Sequence, residues 1–298
     1  MACRTWRSIA ASMIVAAATS LLAACGPAAT GPSPSATTSS GASSPISAEI
    51  NQSRDQYGKQ AILIQLTNTT ETPLSVSAAE VVSKLFNGPI NWTPSDGPLD
   101  LPPHQPKSLP ANLPNASCIS STQAKPLATV RYADPGGNAH QTSGEAGDPY
   151  NVLVRNSDEL CLASAAASIA TLALDPELEV APDQATAVVR LVITPAAAGA
   201  GTKTLTIESI DGTTLLAEQP TDPWPRNVAI SAGSEARVLP LRIRPARCDP
   251  HAVAEDKVGT LLPLRVVVGD RSGVLKVAAS TGLRGRIYDF VTAACGDK

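Results

Sequence analysis

Four cysteines, Cys118, Cys161, Cys248 and Cys295, are the residues of this chain whose type and spacing most constrain their chemistry. An even set of thiols can close as disulfides or hold a zinc ion. Common zinc sites draw ligands from Cys-x-x-Cys pairs, and none of the four stands in one, so disulfides are expected and no metal is. Four cysteines allow three connectivities. A second kind of chemistry is offered by Cys248-Asp249-Pro250-His251 with Glu255 and Asp256 just beyond. An imidazole and carboxylates within one short stretch could bind a metal or serve as acid and base. The same letters spell a helix start, with Asp249 as cap and Pro250 in first position, and we favour that reading. Glu255-Asp256 then reads as a solvated turn.

Signals of a conventional enzyme are missing. The chain has no Gly-x-Ser-x-Gly, no His-Glu-x-x-His, no phosphate-binding glycine loop and, in its body, no Ser-x-x-Lys. His104 and His140 lie in loop-like stretches and His251 follows Cys248. No catalytic residue and no cofactor is therefore expected. For binding, Arg237, Arg242, Arg244 and Arg247 form a local basic patch. On a strand Arg242 and Arg244 share one face while Leu241 and Ile243 point inward, so the arginines could meet phosphate or carboxylate of an envelope polymer. Trp92 and Trp224, each beside a proline, are candidates for stacking on sugar rings, although packing within a repeat is the simpler role.

The elements that must position these residues begin after an unusual N-terminal run. Arg4 and Arg7 precede an uncharged stretch from Ile9 to Leu22, right for the apolar part of a signal peptide and too short to cross a hydrocarbon core of ~30 Å. It ends in Leu22-Ala23-Ala24-Cys25-Gly26, which resembles the lipobox of bacterial lipoproteins. The resemblance implies a diacylglycerol thioether on Cys25 and cleavage before it, and covers only the first 26 residues. From Gly26 to Ala48 every residue but Ile46 is Gly, Pro, Ala, Ser or Thr, a composition that buries too little apolar area to offset its ordering. Such a tether has a root-mean-square reach of roughly 25 to 30 Å. The expected localisation is the outer face of the cytoplasmic membrane. Without Arg4 and Arg7 the chain carries 21 basic against 26 acidic residues, which disfavours a nucleic-acid partner. The expected partners are the membrane, through the lipid, and an envelope protein or polymer.

The body reads as a duplication. Ala61–Thr67 resembles Ala187–Ile193, Trp92 matches Trp224, Cys118 matches Cys248, Pro126–Arg131 matches Pro263–Val268, and Cys161 matches Cys295, all in order at offsets of 126 to 137. Equivalent halves select one connectivity, Cys118 with Cys161 and Cys248 with Cys295. Strands are predicted at 60–67, 81–86, 124–132, 150–155, 186–194, 203–210, 228–232, 237–244, 261–269 and 273–278, from β-branched and alternating runs. Seven prolines between 94 and 114 predict loop over 93–115. The one helix expected is 157–168, capped by Asn156 or Ser157.

These elements predict an all-β chain of two tandem immunoglobulin-like β-sandwiches after a signal peptide and linker. The expected divisions are 1–24 signal, 25–45 lipidated cysteine and tether, 46–167 first repeat and 168–298 second repeat. Each Trp precedes both cysteines of its half, so the immunoglobulin Cys-Trp-Cys order is absent and the likeness is architectural. The stretch Pro245–Lys257 with Leu261–Val268 resembles exported actinobacterial lipoproteins of no assigned activity that have a two-part body. That resemblance implies an envelope protein and carries over no functional residue. The expected function is a non-catalytic, lipid-anchored envelope protein presenting a binding or assembly surface; the alternative is an enzyme-accessory or hydrolytic lipoprotein with its site near His251.

Overall fold

Alternating burial along short β-branched runs makes the strands. In Ala61–Asn68 the side chains of Ile62, Ile64, Leu66 and Asn68 are buried while Leu63, Gln65 and Thr67 are half-exposed, the period of two expected of a sheet with one face inward. The computed structural model describes residues 44–119, 125–199 and 204–296; the segment expected as a signal peptide, Cys25 and the expected tether as far as position 43 lie outside them.

The strands are β1 (Ile46–Asn51), β2 (Ala61–Asn68), β3 (Leu74–Val82), β4 (Ile90–Trp92), β5 (Leu99–Leu101), β6 (Pro106–Asn112), β7 (Leu127–Ala133) and β8 (Ala139–Glu145), followed by helix α1 (Val152–Ala167). Then come β9 (Ala170–Leu174), β10 (Glu179–Val180), β11 (Ala187–Pro195), β12 (Thr204–Ile210), β13 (Leu216–Glu218), β14 (Val228–Ser231) and β15 (Arg237–Pro245). The chain continues through α2 (Pro250–Ala254), β16 (Leu261–Val268), β17 (Arg271–Ala278) and α3 (Thr281–Gly296). In the first half, sheet β1-β2-β6 faces sheet β4-β3-β7-β8, and β5 also pairs with β3. In the second, β10-β11-β15-β13, with β9 also on β11, faces β14-β12-β16-β17. All the named strand pairs are antiparallel. Ile50, Ile64 and Leu109 of one sheet share a core with Val76, Val81 and Val130 of the other, and Val189, Leu191 and Leu241 likewise meet Leu205, Ile207 and Val266. The fold is all-β, two immunoglobulin-like sandwiches in tandem.

The duplication is visible in the order of pairing. β1, β2, β6, β3, β4, β7, β8 and α1 have counterparts in β9, β11, β15, β12, β14, β16, β17 and α3. Two of the sequence matches are off at residue level. Leu127 is about half exposed whereas Leu264 is buried, so an odd offset of 137 puts an outward side chain opposite an inward one. Trp92 lies on β4 opposite Ala79, while Trp224 lies between β13 and β14.

Other corrections have local causes. The stretch 150–155, expected as strand, opens α1, because the Asp148 carboxylate accepts from the backbone amides of Val152 at 2.7 Å and Leu153 at 3.0 Å. Asn156 and Ser157, expected as caps, are buried inside the helix. The expected loop 93–115 contains β5 and β6; β6 pairs only with β2, and an edge strand tolerates Pro106 and Pro110. The strand expected at 81–86 runs instead over Leu74–Val82. Helix α3 was not anticipated. Its signal is present in Leu283, Ile287, Phe290 and Val291 on one buried stripe and in Ser280, whose hydroxyl accepts from the Leu283 amide, but Gly282 and Gly285 obscure it.

Helix α1 joins the two sandwiches. Val152 and Leu153 belong to the first core, whereas Leu162 and Ala166 belong to the second. Gly273 on β17 lets Leu162 approach, since a Cβ there would lie 2.9 Å from its methyl carbon. Lys276 on β17 reaches both carboxylate oxygens of Glu159 at 2.8 Å. Residues Ser43–Lys298 form one compact unit.

Candidate functional site

The two disulfides join Cys118 to Cys161 and Cys248 to Cys295. Each ties the segment between the sixth-strand counterpart and the next core strand to the helix that closes its half. Neither is the sheet-to-sheet bridge of antibody domains, which explains why the Cys-Trp-Cys order is absent.

Asp249 caps α2, accepting from the His251 amide at 3.0 Å, with Pro250 in the first turn. The residues around it do not converge. His251 and Glu255 are exposed, and only Asp256 turns into the cleft between α2 and α3. Among the described residues, no three His, Cys, Asp or Glu side chains lie close enough to hold a metal ion. His104 pairs with Glu71, and His140 pairs with Asp134 and stacks on Tyr132. The His140 imidazole, with Asn138, holds the Asp134 carboxyl well below the usual carboxylate range.

Arg242 and Arg244 share the outward face of β15 above buried Leu241 and Ile243, as alternation requires. Arg242 Nε lies 3.0 Å from Asp222 Oδ2, and Arg244 donates to the Pro245 carbonyl. Trp224 is 3% exposed, and its indole N–H donates to the Arg242 carbonyl at 2.8 Å. A ring so covered cannot stack on a sugar; it is a core residue, further fixed by Glu218, which accepts the Trp224 amide and pairs with Arg226. Trp92 is half-buried and packs on the first core.

The concave feature that sequence reasoning missed is the cleft between α2 and α3, about 660 Å³. Its accessible apolar lining comes from Pro250, Val253 and Ala254, over buried Val291 and beside the Cys248–Cys295 bridge, and Lys257, Arg284, Asp256 and Tyr288 bring polar groups to it. The Asp256 carboxylate is held by three donors. It accepts the Gly259 amide at 2.8 Å, the Tyr288 hydroxyl at 2.8 Å and the Thr214 hydroxyl. Burial, then this bond, push the Tyr288 phenol above its ordinary value. The Arg284 guanidinium lies 5.9 Å from the Tyr288 ring centroid. The stretch after Cys248 supplies Pro250, Val253, Ala254, Asp256 and Lys257 to the lining, but half of it comes from the unanticipated α3, which the sequence did not place beside that stretch.

No family model matches the chain, and no curated protein does. Solved structures aligned to it include a protein of unknown function from Porphyromonas gingivalis W83, 17% identical over 79% of this chain and 99% of that one, with a TM-score of 0.20. The YadV chaperone is 14% identical over 78% of this chain and 97% of its own, with a TM-score of 0.21. The Pseudomonas aeruginosa CupB2 chaperone is 11% identical over 75% and 94%, with a TM-score of 0.22. Likeness at these scores carries no argument about what this chain does.

Proposed function

We propose that this chain is a lipid-anchored protein of the bacterial envelope whose two-sandwich body acts by binding rather than catalysis. The observation that carries the reading is the order along one chain: a basic start, a short apolar run, Leu22-Ala23-Ala24-Cys25-Gly26, a stretch of small residues, and then a body with two disulfides. Each part has a reason only outside the cytoplasm. The run exports, the thiol of Cys25 takes the lipid, the stretch holds the body away from the surface, and an oxidising compartment keeps the bridges closed. No helix among the described residues is long and apolar enough to cross a membrane.

Binding is favoured over hydrolysis because, among the described residues, the one carboxylate in the α2–α3 cleft already accepts hydrogen bonds from three donors, Gly259, Thr214 and Tyr288, and His251 stands outside it. A general base needs a free lone pair within reach of a substrate proton. The test is membrane fractionation of the producing cell. The unaltered chain should sediment with membranes and leave them only in detergent, and Cys25→Ala should shift it to the soluble or secreted fraction. Equal membrane retention of the two would overturn the anchor.

A further inference from the structure

The cleft between α2 and α3 occupies the place where the first half of the molecule is covered. Counting from the bridge cysteine of each closing helix, Val154 and Asp158 of α1 correspond to Tyr288 and Thr292 of α3. Val154 and Asp158 line the seam between α1 and Ser272–Val274 of β17. Tyr288 and Thr292 line the open cleft between α2 and α3.

Charge decides what could lie there. On the helix side the α1 seam carries Arg155, Asp158 and Glu159, and nearby on β17 Lys276 pairs with Glu159. On α3 the positions of Asp158 and Glu159 are Thr292 and Ala293. The cleft instead presents Lys257 and Arg284, which form no ion pair among the described residues, and the one acid that lines it among those residues, Asp256, is hydrogen-bonded to the protein itself. A basic strand such as β17 of a second copy would meet like charge. A volume of about 660 Å³ lies within the roughly 300 to 1,000 Å³ of small-molecule sites, which are mostly apolar with a few convergent polar groups.

We propose that this cleft binds a small amphipathic anion, its apolar body against Pro250, Val253 and Ala254 and its carboxylate head facing Lys257 and Arg284. The inference deepens the binding reading above and is independent of how the chain is anchored. Arginine offers a planar fork and lysine a point charge, a combination suited to a carboxylate at the mouth of an apolar slot.

The probe is dodecanoate, below its micelle concentration, titrated calorimetrically into the full chain carrying Cys25→Ala. Saturable one-to-one binding is expected, with dodecyltrimethylammonium, the same chain under a positive head, at least about tenfold weaker. Acetate, a head without a body, should not bind measurably. Lys257→Gln with Arg284→Gln should weaken dodecanoate about tenfold at an unchanged melting midpoint, while Arg271→Gln on β17 should leave it unchanged. Equal affinity for the cationic amphiphile, or no saturation by about 1 mM dodecanoate, overturns the proposal even if the double variant fails to fold. Dodecanoate recovered chemically altered would instead overturn the non-catalytic reading, and neither result bears on fractionation of the Cys25→Ala chain.

Discussion

Tyr288 donates its phenolic hydrogen to Asp256 across the base of the α2–α3 cleft, Oη to Oδ2 at 2.8 Å, and so ties α3 to the turn that follows α2. Removing the hydroxyl in Tyr288→Phe should cost about 0.5 to 1.5 kcal/mol, measured by urea unfolding. The bond also sets a pH dependence. Because the folded phenol titrates above its unfolded value near 10, its stabilisation is complete below that value and is lost as pH rises through the folded one. Ultraviolet titration of the four tyrosines should show a component ionising above the ordinary range, absent in Tyr288→Phe and moved downward in Asp256→Asn. An unchanged profile in Tyr288→Phe would contradict the assignment.

Gly259 is required by close approach. A Cβ there would lie 2.4 Å from Leu215 Cγ and 2.7 Å from Asp256 Oδ2, both held in place by packing and hydrogen bonds. Gly259→Ala should therefore destabilise the chain by about 1 to 3 kcal/mol, whereas Gly285→Ala, with open space around its Cβ, should be neutral or stabilising. Thermal melts of the two variants side by side make the comparison.

A division near Ser168, as the sequence suggests, leaves each half with its own bridge. The shared helix nonetheless ties each half to the other. A fragment ending at residue 167 would expose Leu162 and Ala166, which are 3% and 2% exposed in the whole chain, and a fragment starting at 168 would lack them in its core. Each fragment should be less stable than the intact body and should bind the dye that reports exposed apolar surface, while peptide mapping without reductant still recovers its own bridge. Opening both bridges in the intact chain should cost roughly 2 to 5 kcal/mol each. A fragment pair as stable as the whole would contradict the role of α1.

What the sequence made legible follows from period and punctuation. β2, β11, β12 and β16 are dense β-branched runs with a burial period of two, and they stand within a residue or two of their predicted bounds. The cap at Asp249 was legible because its chemistry lies within three residues. The start of α1 was not, since its cap, Asp148, sits four residues before the first helical residue with Asn151 in a left-handed turn between them. β6 was hidden by prolines that only an edge position permits. The cleft was hidden because it is a property of two helices brought together by the Cys248–Cys295 bridge.

The mass of the mature chain is the decisive test of the lipid on Cys25. Extracted from membranes in detergent, the chain should begin at Cys25, lack residues 1–24, and carry the added mass of a diacylglycerol thioether on its first residue. An N-terminus at any other position, or an unmodified Cys25 thiol on the membrane-associated chain, would contradict the lipid anchor and the envelope function built on it.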